Sequence, residues 1–218
     1  MRAEFHLHTK ASIDSRMDAD TVIRACLKNG ITCLFVTDHN EIWMAKKLQE
    51  LAPFRVIAGE EITTEEGEMI GYFLTKKIAP YQSPEATIGE IRRQGGLVSI
   101  PHPFDRLRRA RMRYATLQRI VADVDILEIF NARNVLPRDD AQAHEYAKTN
   151  QKFMVVASDA HSRWEVGGSY VELPDFQTPN ELLHSLQQAS FRCRRSWVAV
   201  HAITTFNKFR SRAAGRLA

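Results

Sequence analysis

Apolar residues fall in short runs along this chain, and the runs repeatedly end in histidine or an acid. Seven runs have the length and residue type of buried strands: Glu4 to Leu7, Cys33 to Thr37, Arg55 to Glu60, Met69 to Leu74, Leu97 to Ile100, Ile126 to Phe130 and Phe153 to Ala157. Helical patterns lie between them. Asp18 to Lys28 carries Val22, Ala25 and Cys26 on one side and stops at Asn29-Gly30. Ser83-Pro84 pairs an N-cap residue with proline at the first helical position, and Gly95-Gly96 marks the stop. Thr178-Pro179-Asn180-Glu181 has capping-box spacing ahead of Leu182, Leu183 and Leu186. Asn40 is expected to cap a helix that begins at Glu41-Ile42-Trp43.

Strand, polar loop, helix, strand is the order of an α/β barrel whose strands run in parallel, with chemistry on the loops that follow the strands. An open doubly wound sheet would gather ligands only around its switch point, whereas here nearly every strand end carries ligand-type residues. The expected domain is a barrel over residues 1–190. A basic, helical appendage packed on the barrel is expected over residues 191–218.

The polar clusters at the run ends are His6-Leu7-His8, Thr37-Asp38-His39-Asn40, Glu60-Glu61, Pro101-His102-Pro103 and Ser158-Asp159-Ala160-His161. Side chains alternate along a strand, so His6 and His8 project to one side and can chelate one ion. A lone His-x-His is weak as a metal signal; His39, His102, Asp159 and His161 at further run ends make it strong. Imidazoles and carboxylates without cysteine suit Mn, Fe or Zn and leave the choice among them open. Cys26, Cys33 and Cys193 are odd in number, lack CxxC spacing and are expected to be core thiols. Asp38 is placed to orient an imbedded imidazole, and His144, His184 and His201 lie away from the pattern.

The net charge of the 218 residues is +4, with 44% hydrophobic and 26% charged residues. Phe191 to Ala218 holds seven Lys or Arg and no acid, so the rest of the chain carries +4 less seven, or −3. A mildly acidic body suits a carboxylate-rich site that takes cations. No segment approaches the roughly 20 apolar residues of a membrane span, and a cytoplasmic protein is expected.

In order along the chain, His6-Leu7-His8 with Asp14, Thr37-Asp38-His39-Asn40, Gly59-Glu60-Glu61, Ile100-Pro101-His102-Pro103 and Ser158-Asp159-Ala160-His161 resemble the PHP (polymerase and histidinol phosphatase) family. The resemblance runs from residue 4 to about 172. It implies a distorted seven-stranded parallel barrel that holds two or three divalent ions at the C-terminal ends of its strands and hydrolyses phosphate esters through a metal-bridging hydroxide. His6, His8, Glu61 and Asp159 would hold one ion; Asp14, His39 and His161 a second. Glu61, His102 and Glu68 would hold a third. Glu61, Asp159 and His161 would be the catalytic residues among them. Two departures stand out: Glu68 occupies a position where the family often has histidine, and Asp14 lies one residue further from His8 than is common.

A phosphate substrate calls for cations beyond the metals, and guanidinium groups fork onto its oxygens. Arg106 and Arg108 after His102, Arg133 after the sixth run and Lys10 between His8 and Asp14 are the candidates. Arg109, Arg111 and Arg113 belong to the same run, which reads equally as a solvated loop. The expected partner is a small phosphorylated metabolite or nucleotide, with nucleic acid second to it. The competing readings are amidohydrolase-type hydrolysis of a C–N bond and a metal-binding regulatory module without activity. No nucleophile elbow, P-loop or dinucleotide fingerprint is present.

Overall fold

The computed structural model describes residues 1–196. Strands and helices alternate as β1 (Arg2–Glu4), α1 (Ala19–Lys28), β2 (Cys33–Val36), α2 (Trp43–Leu51), β3 (Arg55–Thr64), β4 (Gly67–Tyr72), α3 (Pro84–Arg93), β5 (Leu97–Ile100), α4 (Tyr114–Ile120), β6 (Ile126–Asn131), α5 (Pro137–Thr149), β7 (Phe153–Ala157), β8 (Tyr170–Glu172), α6 (Pro179–Leu186) and β9 (Ser190–Arg192). Three helices start where the caps predict. Asp18 accepts the Thr21 N–H at 2.9 Å, Ser83 that of Ala86 at 3.2 Å and Thr178 that of Glu181 at 3.3 Å.

Among the described residues nine strands form one sheet, ordered β7-β6-β5-β4-β3-β2-β1-β8-β9. Past the end of β1, Leu7 pairs in parallel with Ala160 just beyond β7, which nearly closes the sheet into a barrel. The expectation of seven parallel strands needs correction. β4 runs antiparallel to both β3 and β5, and β8 and β9 add an antiparallel extension outside β1. The reason is loop length: Thr64 pairs with Gly67, leaving Glu65-Glu66 as a two-residue connection. Such a loop makes a hairpin, whereas a parallel crossover needs a dozen residues or more.

Gly67 has φ +138° and is the position where the loop after β5 crosses the hairpin; a Cβ there would stand 2.3 Å from the Met112 Cα. Glu68 N–H donates to Ala110 O at 2.8 Å and Arg113 N–H to Glu66 O at 3.0 Å, fixing that crossing. The core includes Phe5 stacked on Phe35 with centroids 4.2 Å apart, and Tyr72 edge-on to both rings.

Asn40 does not cap α2, which begins after Ile42 without a side-chain cap. Its left-handed backbone (φ 52°) turns the side chain to Thr63, whose N–H it accepts at 2.9 Å. Cys26 and Cys33 are buried, but Cys193 is exposed rather than in the core. β9 spans the expected boundary at residues 190/191, and Ser196 N–H donates to Ala132 O at 2.8 Å. The rest of the expected helical appendage, 197–218 with His201, lies outside the described residues. Among the described residues no helix is long and apolar enough to cross a membrane.

Candidate metal centre

Two isolated pairings, one beyond β1 and β7 and one between His39 beyond β2 and Glu61 within β3, set the ligand residues side by side. Leu7 opposite Ala160 places His6 and His8 against Asp159 and His161; His39 pairs directly with Glu61. Residues flanking or forming a pair point to one side, so each pairing delivers ligand-type side chains together.

His6 Nε2 and His8 Nε2 lie 2.9 Å apart. Glu61 Oε2 is 3.4 and 3.3 Å from them, and Asp159 Oδ1 3.6 and 3.3 Å. Four donors bound at about 2.0–2.1 Å to one tetrahedral ion are separated by roughly 3.4 Å, so this spacing is that of a ligand shell. A second group is Asp14, whose Oδ2 is 3.6 Å from His39 Nε2 and 3.3 Å from His161 Nε2, with His8 alongside. The third is looser. Glu61 Oε1 is 3.1 Å from His102 Nε2, and Glu68 is 3.8 Å from both His102 Nε2 and His39 Nδ1. His39 also meets Glu61 Oε2 at 3.1 Å, so it belongs to this group as well as the second. Glu61 thus touches His6, His8, His39 and His102 with one carboxylate.

The donor set fits divalent ions. Glu61 Oε2 and Asp159 Oδ1 are buried and accept no hydrogen bond, although each faces imidazole nitrogens. Acceptor oxygens so placed are costly unless a cation meets them. Protonated imidazoles carry that charge in the metal-free protein. Burial works to lower His39, but Glu61 and Asp14 outweigh it and hold it at about 10. Burial likewise opposes a high pKa at His6, where Asp159 and Glu61 prevail. His161 goes the other way: burial, only partly offset by Asp14, brings it to about 4. Burial raises Asp159, yet Arg108 and His6 keep it well below the carboxylate range. Glu68 is raised, first by burial and then by the neighbouring Glu61.

The four proposed phosphate contacts separate. Arg108 enters the centre, its Nη2 donating to Asp159 Oδ2 at 2.6 Å. Arg133 is buried beside it, Nη1 donating to Asp159 O at 3.5 Å and pairing with Glu165 at 3.3 Å. Arg106 turns outward to Asp139, 2.9 Å away, and Lys10 is exposed at the rim. The difference between Arg106 and Arg108 follows from the turns after His102, where Asp105 N–H bonds His102 O and Arg108 N–H bonds Asp105 O. His144 and His184 are exposed on α5 and α6.

Asp38 does orient an imidazole, through Ser12. It accepts Thr9 N–H at 2.6 Å, Thr9 Oγ1 at 2.6 Å and Ser12 Oγ at 2.7 Å, and Ser12 Oγ lies 3.1 Å from His8 Nδ1. Glu4, Glu128 and Asn131 are three buried polar residues the strand-end pattern missed. Glu4 accepts Ser158 N–H and Gly167 N–H, each at 3.1 Å, and burial pushes it up to about 7. Glu128 lies 3.4 Å from His6 Nδ1. Glu4 opens one apolar run and Glu128 interrupts another, and a charged residue within a strand pattern is the signal that marks them.

A family model described as PHP-associated matches residues 137–191. The uncharacterized protein MJ0417 of Methanocaldococcus jannaschii is 33% identical over 197 residues, covering 86% of this chain and 79% of that protein. A Bacteroides vulgatus two-domain protein containing a predicted PHP-like metal-dependent phosphoesterase superposes with TM-score 0.69 at 15% identity, over 89% of this chain and 65% of that one. The lesion-specific endonuclease of Pyrococcus furiosus superposes with TM-score 0.63 at 13% identity, over 87% of this chain and 57% of that one. The chain therefore spans about two thirds or less of these two structures, and at such identities they share its fold.

Proposed function

The chain belongs to the PHP family, and on that premise we propose that it is a metal-dependent phosphoesterase acting on a small phosphorylated metabolite or nucleotide. The observation that supports this reading most is the single carboxylate of Glu61, set within 3.1–3.4 Å of four imidazoles that belong to overlapping donor groups. Such sharing suits ions held close enough to act on one phosphoryl group.

His6, His8, Glu61 and Asp159 would hold one ion, Asp14, His39 and His161 a second, and Glu61, Glu68, His102 and His39 a third. Mn, Fe or Zn bound there would lower the pKa of a water and stabilise charge on the attacking and departing oxygens. The protein supplies the rest. Glu61 and Asp159 fix the spacing of the donor groups, and His161, kept neutral because burial holds it at about 4, offers its Nε2 lone pair to a cation while Nδ1 is tied to Asp159 O. Arg108 lies beside Asp159 with five donors, and one suffices for the carboxylate. Its remaining N–H groups can meet phosphate oxygens, Arg133 supports the same wall, and Lys10 adds charge at the rim. Arg106, held by Asp139, has no place in this clamp.

C–N hydrolysis by the same centre is the alternative, and the guanidinium against Asp159 favours the anionic ester. The test is Mn-loaded protein against phosphomonoesters, nucleotides, a short oligonucleotide and an amide panel, beside Asp159→Asn. Turnover of a phosphate ester that is lost in Asp159→Asn is expected. Amide turnover alone would assign the C–N reaction, and no turnover with bound metal would leave a binding module.

A further inference from the structure

The ladder beside the metal centre contains one irregularity. β6 and β7 pair from Ile126↔Phe153 to Glu128↔Val155, then skip Ile129 and resume at Phe130↔Val156 and Asn131↔Ala157. An extra residue shifts the side-chain alternation by one. Glu128 and Asn131, three apart, would point to opposite faces of a regular strand; across the bulge they meet, with Asn131 Nδ2 donating to Glu128 Oε1 at 2.9 Å.

Both side chains are buried, and both face the candidate ligands. Glu128 Oε2 lies 3.4 Å from His6 Nδ1 and accepts the His102 N–H at 2.9 Å. His102 sits at φ 32°, a left-handed conformation unusual for a residue with a side chain, so that hydrogen bond helps to hold it. Asn131 Nδ2 also reaches Asp159 Oδ2 at 3.3 Å, while its Oδ1 accepts the Arg133 N–H at 2.9 Å. The backbone donor settles which end of the amide is oxygen.

We propose that Glu128 and Asn131 are a positioning pair for the metal centre, an assignment that rests on the metal reading above. Glu128 accepts the Nδ1–H of His6, leaving the Nε2 lone pair directed at Glu61 and Asp159, where an ion would bind. Asn131 fixes the rotation of Asp159, holding Oδ2 so that Oδ1 faces His6 and His8. The chemistry at residue 128 is specific. Its partners are the His102 N–H, the Asn131 amide N–H and the His6 Nδ1–H, three donors that only an acceptor-only group satisfies together. Glutamine presents one oxygen and one amide donor. In Glu128→Gln the single oxygen can serve either His6 and His102 or Asn131, so one arm of the pair meets an amide N–H and loses its hold on His6 or, through Asn131, on Asp159.

The test measures Mn2+ and Zn2+ dissociation constants by chelator competition, and metal-free thermal stability, for wild type, Glu128→Gln, Glu128→Asp and Asn131→Ala. Loss of a partner that orients a ligating imidazole weakens metal affinity about 10–100-fold. That loss is expected in Glu128→Gln at one ion, with part of the affinity recovered in Glu128→Asp, while metal-free melting reads separately the cost of the broken contact. Dissociation constants within about 2-fold of wild type in folded Glu128→Gln overturn the pair. If Glu128→Gln fails to fold, Asn131→Ala decides: weaker binding supports the assignment and unchanged binding overturns it. Wild-type protein that takes up no ion sinks the metal reading and the pair with it. Metal uptake without phosphoester turnover defeats only the proposed function.

Discussion

Replacing Asp38 tests whether the loop from Thr9 to Asp14 is held from beneath by one buried carboxylate. In Asp38→Ala three hydrogen bonds disappear, those from Thr9 N, Thr9 Oγ1 and Ser12 Oγ. At roughly 1.5 kcal/mol each for bonds to a charged group, the loss is about 4.5 kcal/mol. Burial pushes the Asp38 pKa up, so removing the charge returns part of its desolvation cost, and a net loss of about 3–4 kcal/mol remains. For a chain of this size each kcal/mol moves the melting point about 2–4 °C, giving a fall of roughly 6–16 °C. Asp38→Asn keeps an oxygen for Thr9 N and Ser12 Oγ while the Thr9 hydroxyl turns to accept, so the cost drops to about 1 kcal/mol. Calorimetric melting of metal-free protein reads both values. The same scans with excess Mn2+ should show a smaller metal-induced rise in Asp38→Ala, because His8 and Asp14 flank the loosened loop. A melting point within about 2 °C of wild type for Asp38→Ala would refute the reasoning, as would equal damage from both variants.

Other predictions concern the charges of the centre. Arg108→Ala removes one charge-assisted contact to phosphate, about 1.5–3 kcal/mol, so KM for a phosphoester should rise about 10–100-fold when measured at saturating metal; unchanged KM would remove Arg108 from binding. Glu68→Gln relieves a carboxylate raised by burial and by Glu61, so metal-free protein should melt about 2–4 °C higher while elemental analysis shows one ion fewer. Lower melting would contradict the crowding seen there. For pH, the His39 pKa rises from 6.5 to about 10 on folding, so its stabilisation is complete below pH 6.5 and fades as pH climbs through 10. His161 falls from 6.5 to about 4, so its contribution is lost as pH drops across that interval. Metal-free melting should therefore decline on both sides of near-neutral pH, and titration in buffers of different ionisation enthalpy should show a proton released from His39 on metal binding.

His6, His8, His39, Glu61, His102, Asp159 and His161 were legible because they end apolar runs, whereas Asp14 and Glu68 do not follow one and were found only through the family resemblance. Strand direction was not written in those runs, since alternation is the same in either sense; the short Glu65-Glu66 connection was the readable sign that β4 turns back. β8 and β9 escaped notice because Tyr170–Glu172 and Ser190–Arg192 are three residues each, too short for alternation to show. The opposite fates of Arg106 and Arg108 depend on backbone turns that no spacing rule encodes. Glu128 hid inside Ile126-Leu127-Ile129-Phe130, and only the bulge at Ile129 explains how it meets Asn131.

Burial is what organises this centre and also what makes it unstable alone. Glu61, Glu68, Asp14 and Asp159 are nearly inaccessible to water, and an acid so placed keeps its charge only beside a cation. Without ions the cation is borrowed: protonated His6 and His39, and the guanidinium of Arg108 at 2.6 Å from Asp159. An ion held there would have to displace protons from the imidazoles, with Asp159 offering Oδ1 and keeping Arg108 on Oδ2. Asp159 can serve both because Asn131 and Arg108 hold its second oxygen from one side. Glu68 has no such support, standing 3.8 Å from its nearest imidazoles. An ion at Glu68 would have the least prearranged shell, so it should be the first lost when a chelator is titrated in and the last regained.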